Sequence, residues 1–242
     1  MKPIHAALAL TAGLLFACDR AKKSDATQEA GAQFRLALLE KNPTEAVKYY
    51  RKAAEQGNAS GQYSMGSCYA QGIGVERKQA EAVKWYRKAA EQGNAGAQFN
   101  LGLCYNKGEG VEKDYAEAVK WYRKAAEQGD AAAQCNLAVS YFDGLGVEKD
   151  VAASLVWNRK AAEQGQAQSQ FYLGGYYYNG KGVEKDYGEA YAWLNLASKT
   201  REQAAKARDG LEKTMSQQQV ADAQKRTKEL REQIEARRKS GK

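Results

Sequence analysis

Residues 85–93 have the sequence Trp-Tyr-Arg-Lys-Ala-Ala-Glu-Gln-Gly, and residues 121–129 repeat it unchanged. The same phrase returns at 49–57 and at 157–165 with one substitution each: Tyr49 replaces the tryptophan, and Asn158 replaces the tyrosine. A phrase that recurs every 36 residues is typical of a repeat architecture. The period divides the chain into a short unit and a series of full units, which are 30–57, 58–93, 94–129, 130–165 and 166–201.

Each full unit is predicted to form two α-helices. In the unit 94–129, small and apolar residues recur at spacings of three and four, which is the period of a helix with one buried face. Gly108 is expected to end the first helix, and Asp114 with Glu117 to begin the second as a capping box. Because a two-helix unit cannot bury its apolar face alone, the units must stack. The predicted fold is all-α, a right-handed α/α superhelical solenoid of stacked two-helix repeats.

A longer motif surrounds the opening phrase over residues 58–201. It combines Ala-x-x-x-Gln-Phe-x-Leu-Gly-x-x-Tyr, the turn Gly-x-Gly-Val and the tryptophan phrase. This motif resembles the Sel-one-like repeat (SLR), a relative of the tetratricopeptide repeat. The unit 30–57 lacks the glycine turn and has Asn42-Pro43-Thr44 instead, which is closer to the tetratricopeptide form. The resemblance implies a non-catalytic scaffold that binds a protein or peptide partner.

The composition argues against catalysis. The single histidine is His5, so the repeats cannot build a Ser-His-Asp triad or a histidine-ligated metal site. The sequence also lacks Ser-x-x-Lys, Ser-Asp-Asn and Lys-Thr-Gly. We therefore expect no catalytic residue, no metal and no cofactor. Two alternatives stay open: a β-lactam-binding or β-lactam-hydrolysing enzyme, which rests on a cysteine-rich branch of the family, and a purely structural spacer.

The cysteines after the N-terminal segment are expected to be buried thiols. Cys68 and Cys104 hold equivalent positions in successive repeats, so their Cα atoms should lie about 8–10 Å apart, the spacing of packed helices. A disulfide needs Cα atoms within ~7 Å. Cys135 holds a different position, equivalent to Phe99, and is expected in the core. This pattern departs from the paired cysteines that the resemblance implies for the cysteine-rich branch.

Residues 1–18 are predicted to be a signal peptide. A short apolar run follows Lys2 and is too short to span a bilayer of about 30 Å. It ends in Leu15-Phe16-Ala17-Cys18, which resembles a bacterial lipobox. The prediction is export to the cell envelope or periplasm, lipidation of Cys18 and a membrane anchor, with residues 19–29 as a polar tether. The alternative is an ordinary cleaved signal in which the cysteine occurs by chance.

Comparison of the repeats with one another separates two stripes on the first helices. One stripe keeps its residue types, as expected of positions that the stack requires. The neighbouring stripe varies, and since the first helices of related solenoids line the concave face, we interpret it as the wall of a partner-binding groove. The alternative is that variable positions are simply solvated. The predicted groove residues are Asn100, Leu103, Asn106, Lys107, Asn136, Phe142, Asp143, Gln168, Tyr172, Tyr178 and Asn179.

The last repeat is rich in tyrosine. Of its tyrosines, Tyr172 and Tyr178 fall on or beside the variable stripe. Tyrosine presents a large contact area with few rotatable bonds, which suits an anchor for a peptide. The alternative is that the rings cover the junction with the C-terminal helices.

Residues 202–242 are predicted to be a helical cap with a basic tail. Ser216 and Gln219 form a second capping box. From Lys199 to the C-terminus there are 13 Lys or Arg against 7 Asp or Glu. The segment instead could lean on anionic lipid or pair with another chain. We expect a monomer that does not bind nucleic acid. The predicted apolar seam is Val220, Ala223, Thr227, Leu230 and Ile234.

Overall fold

The computed structural model describes residues 26–240, and all regular secondary structure in that range is α-helical. Successive helices form the pairs predicted from the repeat, followed by a C-terminal pair. The helices are α1 (26–39), α2 (Pro43–Glu55), α3 (Ala59–Gln71), α4 (Gln79–Glu91), α5 (Ala95–Lys107), α6 (Tyr115–Glu127), α7 (Ala131–Asp143), α8 (Val151–Glu163), α9 (Ala167–Asn179), α10 (Tyr187–Ala197), α11 (Glu202–Glu212) and α12 (Gln217–Ser240).

The N-terminal predictions fall mostly outside this range. The predicted signal peptide with its lipidation site Cys18 and residues 19–25 of the predicted tether are outside the described residues. Residues 26–29, which the sequence assigned to the tether, are helical. Ala30 and Ala37 lie two turns apart on α1 and both are buried, so packing decides the structure of this segment despite its polar composition.

The predicted helix starts are confirmed, with one correction. Asp114 caps α6 by accepting hydrogen bonds from the backbone N–H groups of Ala116 (2.8 Å) and Glu117 (3.0 Å). The reciprocal bond of a capping box is not made at this site. The Asp114 N–H donates to the carbonyl oxygen of Tyr105 at 3.0 Å, and the Glu117 carboxylate accepts from Lys120 at 2.9 Å. The turn backbone therefore satisfies the donor that the glutamate would have taken.

In the Gly-x-Gly-Val turn at 144–147, the two glycines are required for different reasons. Gly144 ends α7 in the left-handed conformation, at φ +75°, and its N–H donates to the carbonyl oxygen of Ser140. Gly146 also has positive φ, but in addition a Cβ there would overlap the carbonyl oxygen of Tyr115. The second glycine thus permits a close backbone approach between one turn and the start of the second helix of the preceding repeat.

The chain divides into two compact units. The N-terminal unit extends to Cys104 and includes Glu109–Glu112, and the C-terminal unit contains Tyr105–Gly108 and everything from Lys113 onward. In the N-terminal unit α2, α3 and α4 pack in series. In the C-terminal unit α6 to α10 do so, and α10 also contacts α11 and α12. Stacking of two-helix repeats is therefore observed within each unit.

A buried glutamine explains why one residue type is kept in every first helix. Its side-chain amide donates to the backbone carbonyl near the end of the preceding second helix, and these bonds occur in both units. The donor and acceptor pairs are Gln62 and Ala54 (3.2 Å), Gln98 and Ala90 (3.1 Å), Gln134 and Ala126 (3.1 Å), and Gln170 and Ala162 (3.2 Å). Each of these carbonyls also accepts the backbone N–H of the glycine three residues later, so the glutamine adds a second hydrogen bond at the helix end.

The C-terminal helices cap the last repeat. Ala223, Thr227, Leu230 and Ile234 of α12 are buried and Val220 packs beside them, as the seam predicted. At its start, the Ser216 N–H donates to Gln219 Oε1 at 2.8 Å and the Gln219 N–H donates to Ser216 Oγ at 3.2 Å, so the predicted capping box forms. Arg237 near its end donates to Glu163 of α8 at 2.7 Å. The all-α fold with a capping helix pair is confirmed.

The expected core residues are buried. Trp121 is 7% exposed, and Nζ of Lys124 lies 4.3 Å from the centre of its ring. Cys68, Cys104 and Cys135 are all buried thiols, as the repeat spacing predicts. Burial raises the pKa of Cys68 and Cys135, which keeps these two thiols protonated and weakly reactive.

Candidate partner-binding site

The predicted groove residues fall in both units. Asn100 and Leu103 belong to the N-terminal unit and are half-buried on α5. The others belong to the C-terminal unit, where Asn106, Asn136 and Gln168 are half-buried and Lys107 is exposed. Tyr178 is 47% exposed, and its ring centre lies 5.6 Å from that of Tyr187.

The C-terminal unit contains a cavity of about 340 Å³ that brings part of this set together. Four predicted residues line it: Phe142, Asp143, Tyr172 and Asn179. Val139 and Gly175 of the same variable stripe also line it. Five further lining residues were not predicted from the sequence, and these are Ser154, Asn158, Phe171, Tyr176 and Lys181. The cavity lies among α7, α8 and α9, so two repeats contribute to it.

The cavity is explained by a departure from the repeat on α8. Asn158 occupies the position of Tyr50, Tyr86 and Tyr122 in the earlier repeats. Where that position holds Tyr86, the ring packs so closely that a Cβ at Gly66 would meet it, and it also lies near Cys104. Asparagine is much smaller than tyrosine, so the same position on α8 leaves space between the helices.

Neighbouring positions change together with Asn158. The position of Gly66 is taken by Ala138, which no longer has to make room for a ring. The position of Cys104 is taken by Tyr176, which is buried and lines the cavity. The second helix of this repeat therefore lacks a ring, at Asn158, and the first helix of the next repeat has one instead, at Tyr176. The exchange rearranges the packing and leaves an open, ring-lined cavity.

Polar groups at the cavity form a short hydrogen-bonded chain. The Ser154 hydroxyl donates to the carbonyl oxygen of Ala138 at 2.6 Å, and the hydroxyl of Tyr176 lies 2.6 Å from Ser154 Oγ. Because a carbonyl can only accept and serine has one proton, Tyr176 is the donor to Ser154. Burial raises the pKa of Tyr176, and its polar neighbours Ser154 and Asn158 oppose that rise.

One buried acceptor at the cavity has no hydrogen-bond partner. Asn158 is 1% exposed, and its Oδ1 has no hydrogen-bond partner. A buried polar atom without a partner is rare in folded proteins and calls for a specific explanation.

Aromatic rings and mixed charges surround the polar centre. The ring of Phe142 meets that of Tyr176 edge-on, with centres 5.8 Å apart. Nζ of Lys181 lies 5.4 Å from the centre of the Phe142 ring, and Nζ of Lys149 lies 5.7 Å from it. Asp143 and Lys181 are exposed, so a carboxylate and an ammonium group mark the rim of the cavity.

Burial raises the pKa of Tyr172 and of Tyr176, so both hydroxyls are neutral at physiological pH. Within residues 26–240, no group of three or more His, Cys, Asp or Glu side chains is placed to hold a metal ion. Over the same range, no helix has the length and apolar character that a bilayer crossing requires.

Comparisons with known proteins agree with the repeat architecture. The family model described as the Sel1 repeat matches residues 30–58, 59–94, 95–130, 131–166 and 167–199. These matches cover more than half of the sequence, and the chain belongs to the Sel1 repeat family. Proteins of this family are generally protein-interaction scaffolds and typically non-catalytic. A comparison with functionally curated proteins finds no significant match.

Solved structures are also similar. A protective antigen of uropathogenic Escherichia coli with an SLR fold is 38% identical, with a TM-score of 0.79 over 87% of this chain and 48% of the antigen. The chain thus spans about half the length of that antigen. A Sel1 repeat protein from Oxalobacter formigenes is 35% identical, with a TM-score of 0.71 over 84% of this chain and 87% of that protein.

Proposed function

We propose that this protein is a non-catalytic protein-interaction scaffold of the bacterial cell envelope and that it holds its partner at the cavity among α7, α8 and α9. The observation that carries the proposal is the exchange of Asn158 and Tyr176 against the repeat pattern, which opens an aromatic-lined cavity. A repeat that served only as a spacer would have no need to depart from the packing of its neighbours.

The lining of the cavity fits a protein partner. Aromatic side chains anchor protein interfaces because they bury a large area at a small loss of conformational entropy. Phe142, Phe171 and Tyr172 supply such area here, while Asp143 and Lys181 provide a polar rim. The β-lactam alternative gains no support from the comparisons, and the site contains no nucleophile paired with a base.

The envelope location rests on the N-terminal sequence. The proposal assigns export to residues 1–18 and lipid attachment to Cys18. Metabolic labelling with palmitate tests it: wild-type protein should take up label and sediment with membranes, whereas Cys18→Ser should do neither. Unlabelled wild-type protein in the soluble fraction would contradict the anchor and leave the cavity proposal to its own test.

Partner binding at the cavity is tested by blocking it. Gly175 lines the cavity, and a Cβ built on it would meet no atom within 4 Å. Gly175→Leu therefore places a side chain into open space at the site, and we expect it to abolish crosslinking to envelope proteins that the wild type captures. Gly210→Leu is the matched control, because Gly210 is helical, equally open and away from the cavity.

The two variants distinguish a partner that binds at the cavity from one that binds elsewhere. Loss of the same captured protein with Gly175→Leu, and its retention with Gly210→Leu, is the expected result. Equal capture by both variants and the wild type would mean that the partner binds elsewhere on the protein. A melting midpoint measured for each variant shows that the fold is intact, as expected for a helical glycine replaced in open space.

A further inference from the structure

The buried acceptor of Asn158 gives the cavity a chemical preference. Asn158 lines the cavity, and its buried Oδ1 has no hydrogen-bond partner among the protein groups around it. An occupant that brings a hydrogen-bond donor would satisfy this atom. An occupant without one would leave it buried and unpaired, which weakens binding.

The surroundings decide what kind of donor fits. Lys181 lines the cavity, and Lys149 lies over the same Phe142 ring, against a single carboxylate at Asp143. Two ammonium groups disfavour a lysine or arginine as the occupant. The donor should therefore be neutral.

Size narrows the choice further. The volume of about 340 Å³ lies at the lower end of the range of ligand sites, and rings form much of the wall. Serine, threonine and the small amides would leave most of this space empty. Tyrosine and tryptophan combine a large ring with one neutral donor at its edge. Offset or edge-to-face contact with Phe142 and Phe171 favours such a ring.

We propose that the cavity is the receptor for one tyrosine or tryptophan side chain of the protein partner, whose O–H or N–H donates to Oδ1 of Asn158. This inference rests on the proposed function and names the chemistry of the same site. The exposed ring of Tyr178 follows on the same helix, directly before the lining residue Asn179, and offers contact area to the polypeptide on either side of the inserted residue.

The test uses single side chains as probes. N-acetyl-tyrosinamide, N-acetyl-tryptophanamide and N-acetyl-phenylalaninamide are titrated into the full chain, and the backbone amide resonance of Gly175 is followed by two-dimensional NMR. We expect the tyrosine and tryptophan amides to bind about tenfold more tightly than the phenylalanine amide, since only they satisfy the buried acceptor.

A matched variant removes the acceptor while keeping the ring-lined walls. Ala138→Gly with Asn158→Leu reproduces the pair Gly174 and Leu194, which this chain already packs in its last repeat. In this variant the preference for a donor should disappear, and the phenylalanine amide should bind at least as well as the tyrosine amide. The melting midpoint reports whether the variant folds, and Asn158→Ser provides a second, smaller change if it does not.

Three results would overturn the inference. If the wild type bound the phenylalanine and tyrosine amides equally, Asn158 would not select for a hydrogen-bond donor. The proposed function would still be supported in that case if Gly175→Leu lost the captured partner. If none of the amides changed the backbone amide resonance of Gly175, the cavity would not bind an aromatic side chain. Binding of 4-methylphenol without binding of the amides would point to a free small aromatic compound instead of a partner's side chain.

Discussion

The hydroxyl of Tyr176 donates a 2.6 Å hydrogen bond to Oγ of Ser154, and this bond joins the first helix of the last full repeat to the second helix of the repeat before it. Both residues depart from the repeat: the positions equivalent to Tyr176 hold Cys68, Cys104 and Ser140, and the positions equivalent to Ser154 hold alanine. Ser154 therefore supplies an acceptor for the tyrosine hydroxyl, which the other repeats lack at this position.

Ser154→Ala tests this coupling. It leaves the Tyr176 hydroxyl buried without its acceptor, which should lower the free energy of unfolding by about 1–3 kcal/mol. Tyr176→Phe on its own should cost about 1 kcal/mol. In the double variant both polar groups are gone, so the combined loss should be smaller than the sum of the single losses. Denaturant unfolding of the four proteins measures the difference, and simple additivity would show that the bond contributes nothing.

The exchange of Asn158 and Tyr176 should behave as a unit. Asn158→Tyr alone introduces a ring at the position where the ring of Tyr86 leaves no room for a Cβ on Gly66, and Ala138 carries that Cβ, so overpacking should cost about 1–3 kcal/mol. Adding Ala138→Gly and Tyr176→Ser introduces the residue types that the repeat of Tyr122 has at these positions, Gly102 and Ser140, and should recover most of that loss. Thermal and denaturant unfolding give both values. A fully tolerated single Asn158→Tyr would contradict the packing described for α8.

Trp121 and Trp85 hold equivalent positions but differ in burial. Trp121→Ala should cost about 3–5 kcal/mol, since its ring is 7% exposed and its loss leaves a cavity. Trp85 is only half-buried, although Lys88 lies over its ring at 4.4 Å. Trp85→Ala should therefore cost clearly less. Equal losses in chemical denaturation would show that burial at this position does not follow the assigned register.

The raised pKa of Tyr86 predicts that the protein loses stability at alkaline pH. Burial raises its pKa to about 12, whereas tyrosine in an unfolded chain ionises near ~10. Between these values the unfolded chain releases a proton that the folded chain retains, so the stabilisation is complete below about pH 10 and declines as the pH rises towards 12. The thermal midpoint should fall in this window.

Tyr86→Phe should reduce that alkaline decline without removing it, because burial also raises the pKa of Tyr50, Tyr172 and Tyr176. Tyr178→Phe changes an exposed ring and is the control, for which the wild-type pH dependence should persist. An identical decline in Tyr86→Phe and Tyr178→Phe would show that the buried hydroxyl of Tyr86 does not titrate as its surroundings require.

The repeat made most of the fold predictable from the sequence. The cavity was not predictable in the same way, because it depends on residues that depart from the repeat. Helix positions, turns and the buried glutamines follow from residues that recur every 36 positions, so four copies of the same phrase support each assignment. The seam of α12 was predictable from its own spacing. Asn158 was visible only as a single exception in a conserved phrase, and its consequence depends on Ala138 and Tyr176, which are distant in sequence.

The predicted groove shows the same limit. Variation between repeats found Phe142, Asp143, Tyr172 and Asn179, because these lie on one helix face and differ between units. It could not find Ser154 or Asn158, since the variable stripe was defined on the first helices and these two residues lie on a second helix. A search for paired departures, in which one position loses a ring and the packed neighbour gains one, would have identified the cavity.

The most direct measurement is the affinity of the captured partner for wild-type protein and for Ala138→Gly/Ser154→Ala/Asn158→Tyr/Tyr176→Ser, which gives the cavity the residues of an ordinary repeat. Because that variant fills the space with a ring and removes the buried acceptor, binding should weaken by at least about tenfold while the melting midpoint is maintained. A folded variant that binds the partner as tightly as the wild type would contradict the conclusion that this cavity is the binding site.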